Sequence, residues 1–145
     1  MTKNTKLYLI GLVLIAVIST TTVIGVGMLV TTRQPTPNPV PKTKAISAAD
    51  NGTTVIIQKG DFLQLTLKNY GDGGYSWTIK NQDSIKLALS SQNHINGSGA
   101  LGDFGSDLWT FTALQPGTSS LELVCARPWN TSDICATFNI QVVIQ

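Results

Sequence analysis

Histidine is nearly absent from this chain: His94 is the only one in 145 residues. Cysteine occurs twice, as Cys125 and Cys135, and charged residues make up 12%. Each scarcity excludes a class of function. A Ser-His-Asp or Cys-His hydrolase needs its histidine against a nucleophile, and His94 stands in a polar stretch while both cysteines have a better explanation. No His/Cys cluster has zinc spacing, and Asp103 and Asp107 sit in a glycine-rich stretch that lacks the ligand pattern of a calcium loop. The glycines precede strands rather than helices, which excludes a phosphate loop or a dinucleotide fingerprint. From Asn51 onward there are five positive and seven negative residues, so no basic patch exists to hold a nucleic acid. The chain reads as a non-enzyme that uses no cofactor and no metal.

Three segments are present instead. Residues 1–30 contain a charge-free run at 7–30 preceded by Lys3 and Lys6, long enough to cross a bilayer as a helix. The flanking lysines favour a cytoplasmic N-terminus with the remainder outside. A cleavable signal peptide is the competing reading, which would make the protein secreted. The usual signal core is shorter, however, and no small-x-small cleavage site follows this one. The expected location is therefore the cell membrane, single-pass. Residues 31–49 carry Pro35, Pro37, Pro39 and Pro41, the composition of an extended, semi-rigid stalk. The cysteines suit an oxidising compartment, in agreement with export. Asn51, Asn96 and Asn130 each begin a glycosylation triplet, a common chance pattern.

Residues 50–145 form the domain. Its hydrophobic pattern has period two and is broken by turns, with no helical stretch of any length. Strands are expected at 53–58, 62–68, 75–80, 85–90, 108–113, 118–126 and 136–144. Leu63, Leu65 and Leu67 share one face; so do Trp109, Phe111 and Ala113, and Phe138, Ile140, Val142 and Ile144. About seven short strands in this length predict an all-β, immunoglobulin-like β-sandwich.

Short and long connections alternate along this domain. Lys59-Gly60, Asn81-Gln82-Asp83 and Gln115-Pro116-Gly117 are tight turns. The connections at 69–74, 92–107 and 127–134 are longer. If successive strands run in opposite directions, all three long loops meet at one end and form a composite surface. Gly71, Gly73 and Gly74 also fit the plainer role of residues at positive φ. Trp77 and Trp109 read as core by their place in strands. Trp129 lies beyond its strand, beside the stiffening Pro128, and follows Arg127. Arg and Trp are enriched where proteins grip one another, so this loop reads as a binding tip. A disulfide between Cys125 and Cys135 would close the loop at its base. Strict alternation puts Cys135 on the wrong face for this bond, so the last strand must start later or contain a bulge.

Together the three loops resemble the chagasin family of inhibitors of papain-like cysteine peptidases. Arg127-Pro128-Trp129 matches the family's Arg-Pro-Trp loop in full. The family's first loop, Asn-Pro-Thr-Thr-Gly-Tyr followed closely by Trp, is partly matched by residues 69–77. Gly74, Tyr75 and Trp77 agree there, while the Pro is absent and Gly73 stands in place of Thr. The Gly-x-Gly-Gly middle loop corresponds to Gly102-Asp103-Phe104-Gly105 before Trp109-Thr110-Phe111, with Phe104 replacing one glycine. The resemblance implies reversible competitive inhibition, without turnover, by a monomer that wedges its loops into a peptidase cleft. Gly73, Gly74 and Tyr75 would take the centre. Trp129 would stack beside the cleft, with Pro128 stiffening the loop and Arg127 making polar contacts. Gly102, Asp103, Phe104 and Gly105 would form the other arm. By architecture alone, a surface adhesion or carbohydrate-binding module is the alternative.

Overall fold

The computed structural model describes residues 38–145. The run at 7–30 lies outside the described residues, as does the first part of the proline-rich stretch. Among the described residues, no helix is long and apolar enough to cross a membrane.

Eight strands make up the domain: β1 (Thr43–Ser47), β2 (Thr54–Ile57), β3 (Phe62–Lys68), β4 (Ser76–Gln82), β5 (Leu87–Ile95), β6 (Ser106–Ala113), β7 (Gly117–Arg127) and β8 (Asn130–Ile144). They form two four-stranded sheets, ordered β1-β3-β6-β5 and β2-β8-β7-β4. Alternation decides which side chains point inward. Leu63, Leu65 and Leu67 of β3, Trp109 and Phe111 of β6, Leu121 and Leu123 of β7, and Phe138, Ile140 and Val142 of β8 are all buried. Each such side chain contributes on the order of 1.5–3 kcal/mol by leaving water. The remaining neighbours pair antiparallel, but β1 runs parallel to β3 and β2 parallel to β8.

β1 extends the domain beyond the expected seven strands. It occupies part of the stretch 31–49 that composition assigns to a stalk, so the sandwich begins before residue 50. Lys42 and Asp61 dock it. The Lys42 N–H donates to the Asp61 carboxylate at 2.9 Å, and the Phe62 N–H donates to the Lys42 carbonyl at 2.8 Å. The Lys42 N–H, with the Gln58 N–H second, holds the Asp61 carboxyl below its ordinary pKa. Ile46 then buries its side chain in the core. At the end of β1, the Ser47 N–H donates to Asp50 at 2.8 Å and a 3₁₀ turn (Ala48–Asp50) carries the chain across to the other sheet. One large apolar residue within β1, Ile46, is too little periodicity to announce a strand; its partner β3 makes it one.

Two of the long connections are shorter than expected, for one reason. β5 runs on to Ile95 and β6 starts at Ser106, because Gln92, Asn93 and His94 pair in register with Trp109, Leu108 and Asp107. Likewise, Asn130 to Ile134 belong to β8. Polar cross-strand pairs satisfy the backbone as well as apolar ones do, but they leave no hydrophobic alternation to read. At its start β5 is shortened: Asp83 accepts from the Ile85 N–H at 3.1 Å and holds a turn there.

If β1 is a strand of the core, Ile46→Ala, at a side chain only 4% exposed, lowers unfolding stability by about 2–3 kcal/mol. Urea titration of the full-length chain measures this; a change below about 0.5 kcal/mol, the scale of surface substitutions, would return the segment to a stalk.

Candidate functional site

Strand directions place the long connections together. β3 and β5 run toward the same end as β7, and β4, β6 and β8 run away from it. The loops 69–75 and 96–105 and the β7–β8 hairpin tip at Pro128 and Trp129 therefore share one end, and they touch. Asn69 N–H donates to the Gly105 carbonyl at 3.0 Å, joining the first and middle loops. The Phe104 ring lies against Gly71 in the same interface.

The first loop is the centre of this tip. It turns through a 3₁₀ segment (Asp72–Gly74), in which Gly73 has φ 73° and Gly74 φ 82°. Those angles favour glycine, and Gly74 has a second reason to be one. A β-carbon there would overlap the Trp129 indole, which sits directly on the Gly74 backbone. Trp129 nevertheless remains 72% exposed. One part of its surface is seated and the rest faces solvent.

Arg127 points inward. Its Nε donates to the Gly73 carbonyl at 2.9 Å, and Nη1 pairs with Asp133 Oδ2 at 3.0 Å. The guanidinium lies over the Tyr75 ring, 4.6 Å from its centroid. The Tyr75 hydroxyl donates to Asp133 Oδ1 at 2.9 Å. That bond to a carboxylate raises the Tyr75 pKa, with the Arg127 charge opposing it. Arg127, expected to make polar contacts, and Tyr75, expected in the centre with Gly73 and Gly74, meet one another within the tip. Both are engaged in holding the first loop against the hairpin, and Tyr75 is half-buried. Asp133 was not a candidate from sequence. Its only signal is a charge opposite to Arg127 within the same hairpin.

The middle loop is closed by Asp103. Its carboxylate accepts from the Ser98 N–H and the Ser98 hydroxyl, each at 2.6 Å, and from the Gly105 N–H at 3.0 Å. These donors, the Ser98 hydroxyl first, lower the Asp103 pKa to about 2. Gly105 has φ 74°, and a β-carbon on it would overlap the Ile95 carbonyl. Gly102 has φ 79° with open space around it. Beneath this loop, Asp107 accepts from Asn69 Nδ2 at 2.8 Å and meets His94 Nδ1 at 2.9 Å. The one histidine is thus part of the scaffold beneath the tip.

Cys125 and Cys135 are disulfide-bonded, with Cα atoms 5.4 Å apart. The face conflict is resolved by a bulge: Cys125 pairs with Ala136 but Ala126 with Ile134, so Cys135 is the unpaired extra residue. Trp77 packs edge-on against Trp109, ring centroids 6.5 Å apart, and its Nε1 donates to the Lys68 carbonyl at 2.9 Å. It anchors the strand that leaves the first loop. Among the described residues, no group of three or more His, Cys, Asp or Glu side chains is placed to hold a metal ion.

A two-sheet β domain with three interlocked loops at one end, one of them bearing a seated but exposed tryptophan, defines a loop-presenting binding protein. The pattern of the chagasin family peptidase inhibitor I42 matches residues 56–142. The chain belongs to the chagasin family, whose members are peptidase inhibitors and not enzymes. It is 26% identical over 101 residues to Amoebiasin-1 of Entamoeba histolytica, covering 70% of this chain and 99% of that one. Its fold is similar to the crystal structure of the cysteine protease inhibitor EhICP2 from Entamoeba histolytica. There the TM-score is 0.63 at 21% identity, with 74% of this chain and all of that one covered. It is also similar to PbICP-C, solved in complex with falcipain-2. That match has a TM-score of 0.53 at 16% identity, covering 74% of this chain and 95% of that one.

The Asp103 clamp gives a pH signature. Its folded pKa, about 2, is below the ordinary 3.8, so its ordering of the middle loop is complete above that ordinary value and is lost as pH falls through the lower one. In an NMR titration, the Ser98 and Gly105 amides shift with a midpoint near 2, and Ser98→Ala moves the Gly105 midpoint up toward 3.8. A wild-type midpoint at 3.8 would mean that the clamp does not form.

Proposed function

We propose that this chain is a reversible, competitive inhibitor of papain-like cysteine peptidases, and that its three-loop tip occupies their active-site cleft. The observation that carries the reading is Trp129, largely exposed yet seated on Gly74 beside a loop held by Arg127. A rigid, displayed aromatic loses little freedom on binding, and such side chains are typical hot spots. Gly73 and Gly74 offer backbone with no side chain in front of it, which allows close approach to a cleft wall. Pro128 stiffens the hairpin tip. Gly102, Asp103, Phe104 and Gly105 shape the second arm, and Arg127 and Tyr75 support the first loop from behind. Pre-formed loops also suit inhibition without turnover, because there is little to reorder once the complex forms.

The domain is read as acting outside the cytoplasm as a monomer, tethered by residues 7–30. The charge-free length of that run supports the tether, and the cysteine pairing supports an oxidising compartment.

Full-length chain in mild detergent, titrated against papain at several substrate concentrations, gives a competitive pattern, and the chain stays uncleaved. Trp129→Ala raises the inhibition constant at least about tenfold, the scale of a hot spot, with an unchanged thermal midpoint. An unchanged constant in a folded variant removes the hairpin tip from the mechanism. Absence of wild-type inhibition removes the reading itself and directs attention to glycans.

A further inference from the structure

Leu101 is 105% exposed, the most exposed large apolar side chain among the described residues. A single exposed leucine needs no explanation on an ordinary surface. Its position here is what calls for one. The Asp103 N–H donates to the Ala100 carbonyl at 3.0 Å, closing a four-residue turn over Ala100, Leu101, Gly102 and Asp103. Gly102, third in that turn, has φ 79°, the requirement of a type II turn. Leu101 therefore stands at the outer corner, between the turn's first residue and its obligatory glycine.

The turn is mounted on a fixed base. Asp103 binds both ends of the loop through Ser98 and Gly105. Gly97 and Gly105 let backbone pack against backbone where any β-carbon would overlap. Everything else between Asn96 and Asp103 is glycine, serine or alanine, so this stretch presents one large apolar group, with the less exposed Phe104 following it. The first loop is flanked by Trp129 over Gly74 on the hairpin side and by Phe104 over Gly71 on the middle-loop side. Leu101 lies on the same arm as Phe104. Asp103, with its carboxylate occupied within the loop, is a positioning residue and not the contact.

We infer that Leu101 is a specificity-determining contact of the middle arm, an apolar prong that pairs with Trp129 and selects peptidases whose surface beside the cleft offers an apolar recess. This rests on the inhibitor reading above. Apolar anchors act chiefly on dissociation, since they add contact area without steering the encounter.

The test uses full-length chain against papain, with association and dissociation rates measured alongside the inhibition constant. Leu101→Ala is expected to raise the constant at least about fivefold, mostly through faster dissociation, with an unchanged thermal midpoint. Leu101→Met, which keeps the apolar volume, is expected to stay within about twofold of wild type. Gly102→Ala is expected to behave like Leu101→Ala, because it disfavours the turn that displays the leucine. If Leu101→Ala inhibits within about twofold of wild type while Trp129→Ala does not, the prong is overturned and the inhibitor reading stands. If wild type fails to inhibit, both fall.

Discussion

The β7–β8 hairpin is the constraint on which the rest of the molecule depends. It pairs Gly117 with Ile144 at one end and Arg127 with Asn130 at the other, so it runs the full height of the domain. Along one face it supplies Leu121, Leu123, Phe138, Ile140 and Val142 to the core. At the far end it leaves the core and becomes the scaffold of the tip. The disulfide sits where the two roles meet, with Cys125 still buried and Cys135 displaced into the bulge. A cross-link there couples the rigid part of the hairpin to the part that must stay fixed while exposed to water. Chain-entropy arguments for so short a loop give roughly 2–3 kcal/mol.

At the tip, Arg127, Asp133, Asp103 and Asp107 turn their charges to partners within the loops, while large apolar groups remain displayed. Arg127 is neutralised by Asp133 and bonded to Gly73. Asp103 is saturated by amide and hydroxyl donors, and Asp107 by Asn69 and His94. What remains displayed includes Trp129 and Leu101, with Phe104 39% exposed between the loops. Ion pairs at a surface contribute little net stability, but they are directional, and direction is what a pre-formed loop requires. Apolar surface supplies affinity without it. In this chain Arg127 spends its donors on the Gly73 carbonyl and Asp133, which fixes the first loop against the hairpin.

Glycine enters the same logic twice. Gly74 is required because Trp129 occupies the space above it, and Gly105 because the Ile95 carbonyl does. These are close approaches of backbone to a neighbour, a different reason from the positive φ that Gly102 supplies to a turn. Ile46, Asp103 and Leu101 mark the range of consequences: one residue anchors a strand, one closes a loop and one is displayed by it.

Much of this was legible in one dimension. Alternation at Leu63–Leu65–Leu67, at Trp109–Phe111 and at Phe138–Ile140–Val142 determined the sheets' inner faces, because a strand's side-chain period is a local property. The alternation of short turns with long loops determined that three loops share an end, since antiparallel succession leaves no other arrangement. Arg-Pro-Trp in the right loop pointed to the family. Tertiary structure alone decided the rest. β1 exists because β3 offers it an edge, the bulge at Cys135 because the disulfide and the ladder must both be satisfied, and the extended β5 because polar residues found partners on β6. Above all, Arg127 turns inward because Asp133, Tyr75 and the Gly73 carbonyl converge on it. Sequence spacing reports which residues a tip contains. Which way each one faces depends on neighbours brought from elsewhere in the chain, and that information has no local period to carry it.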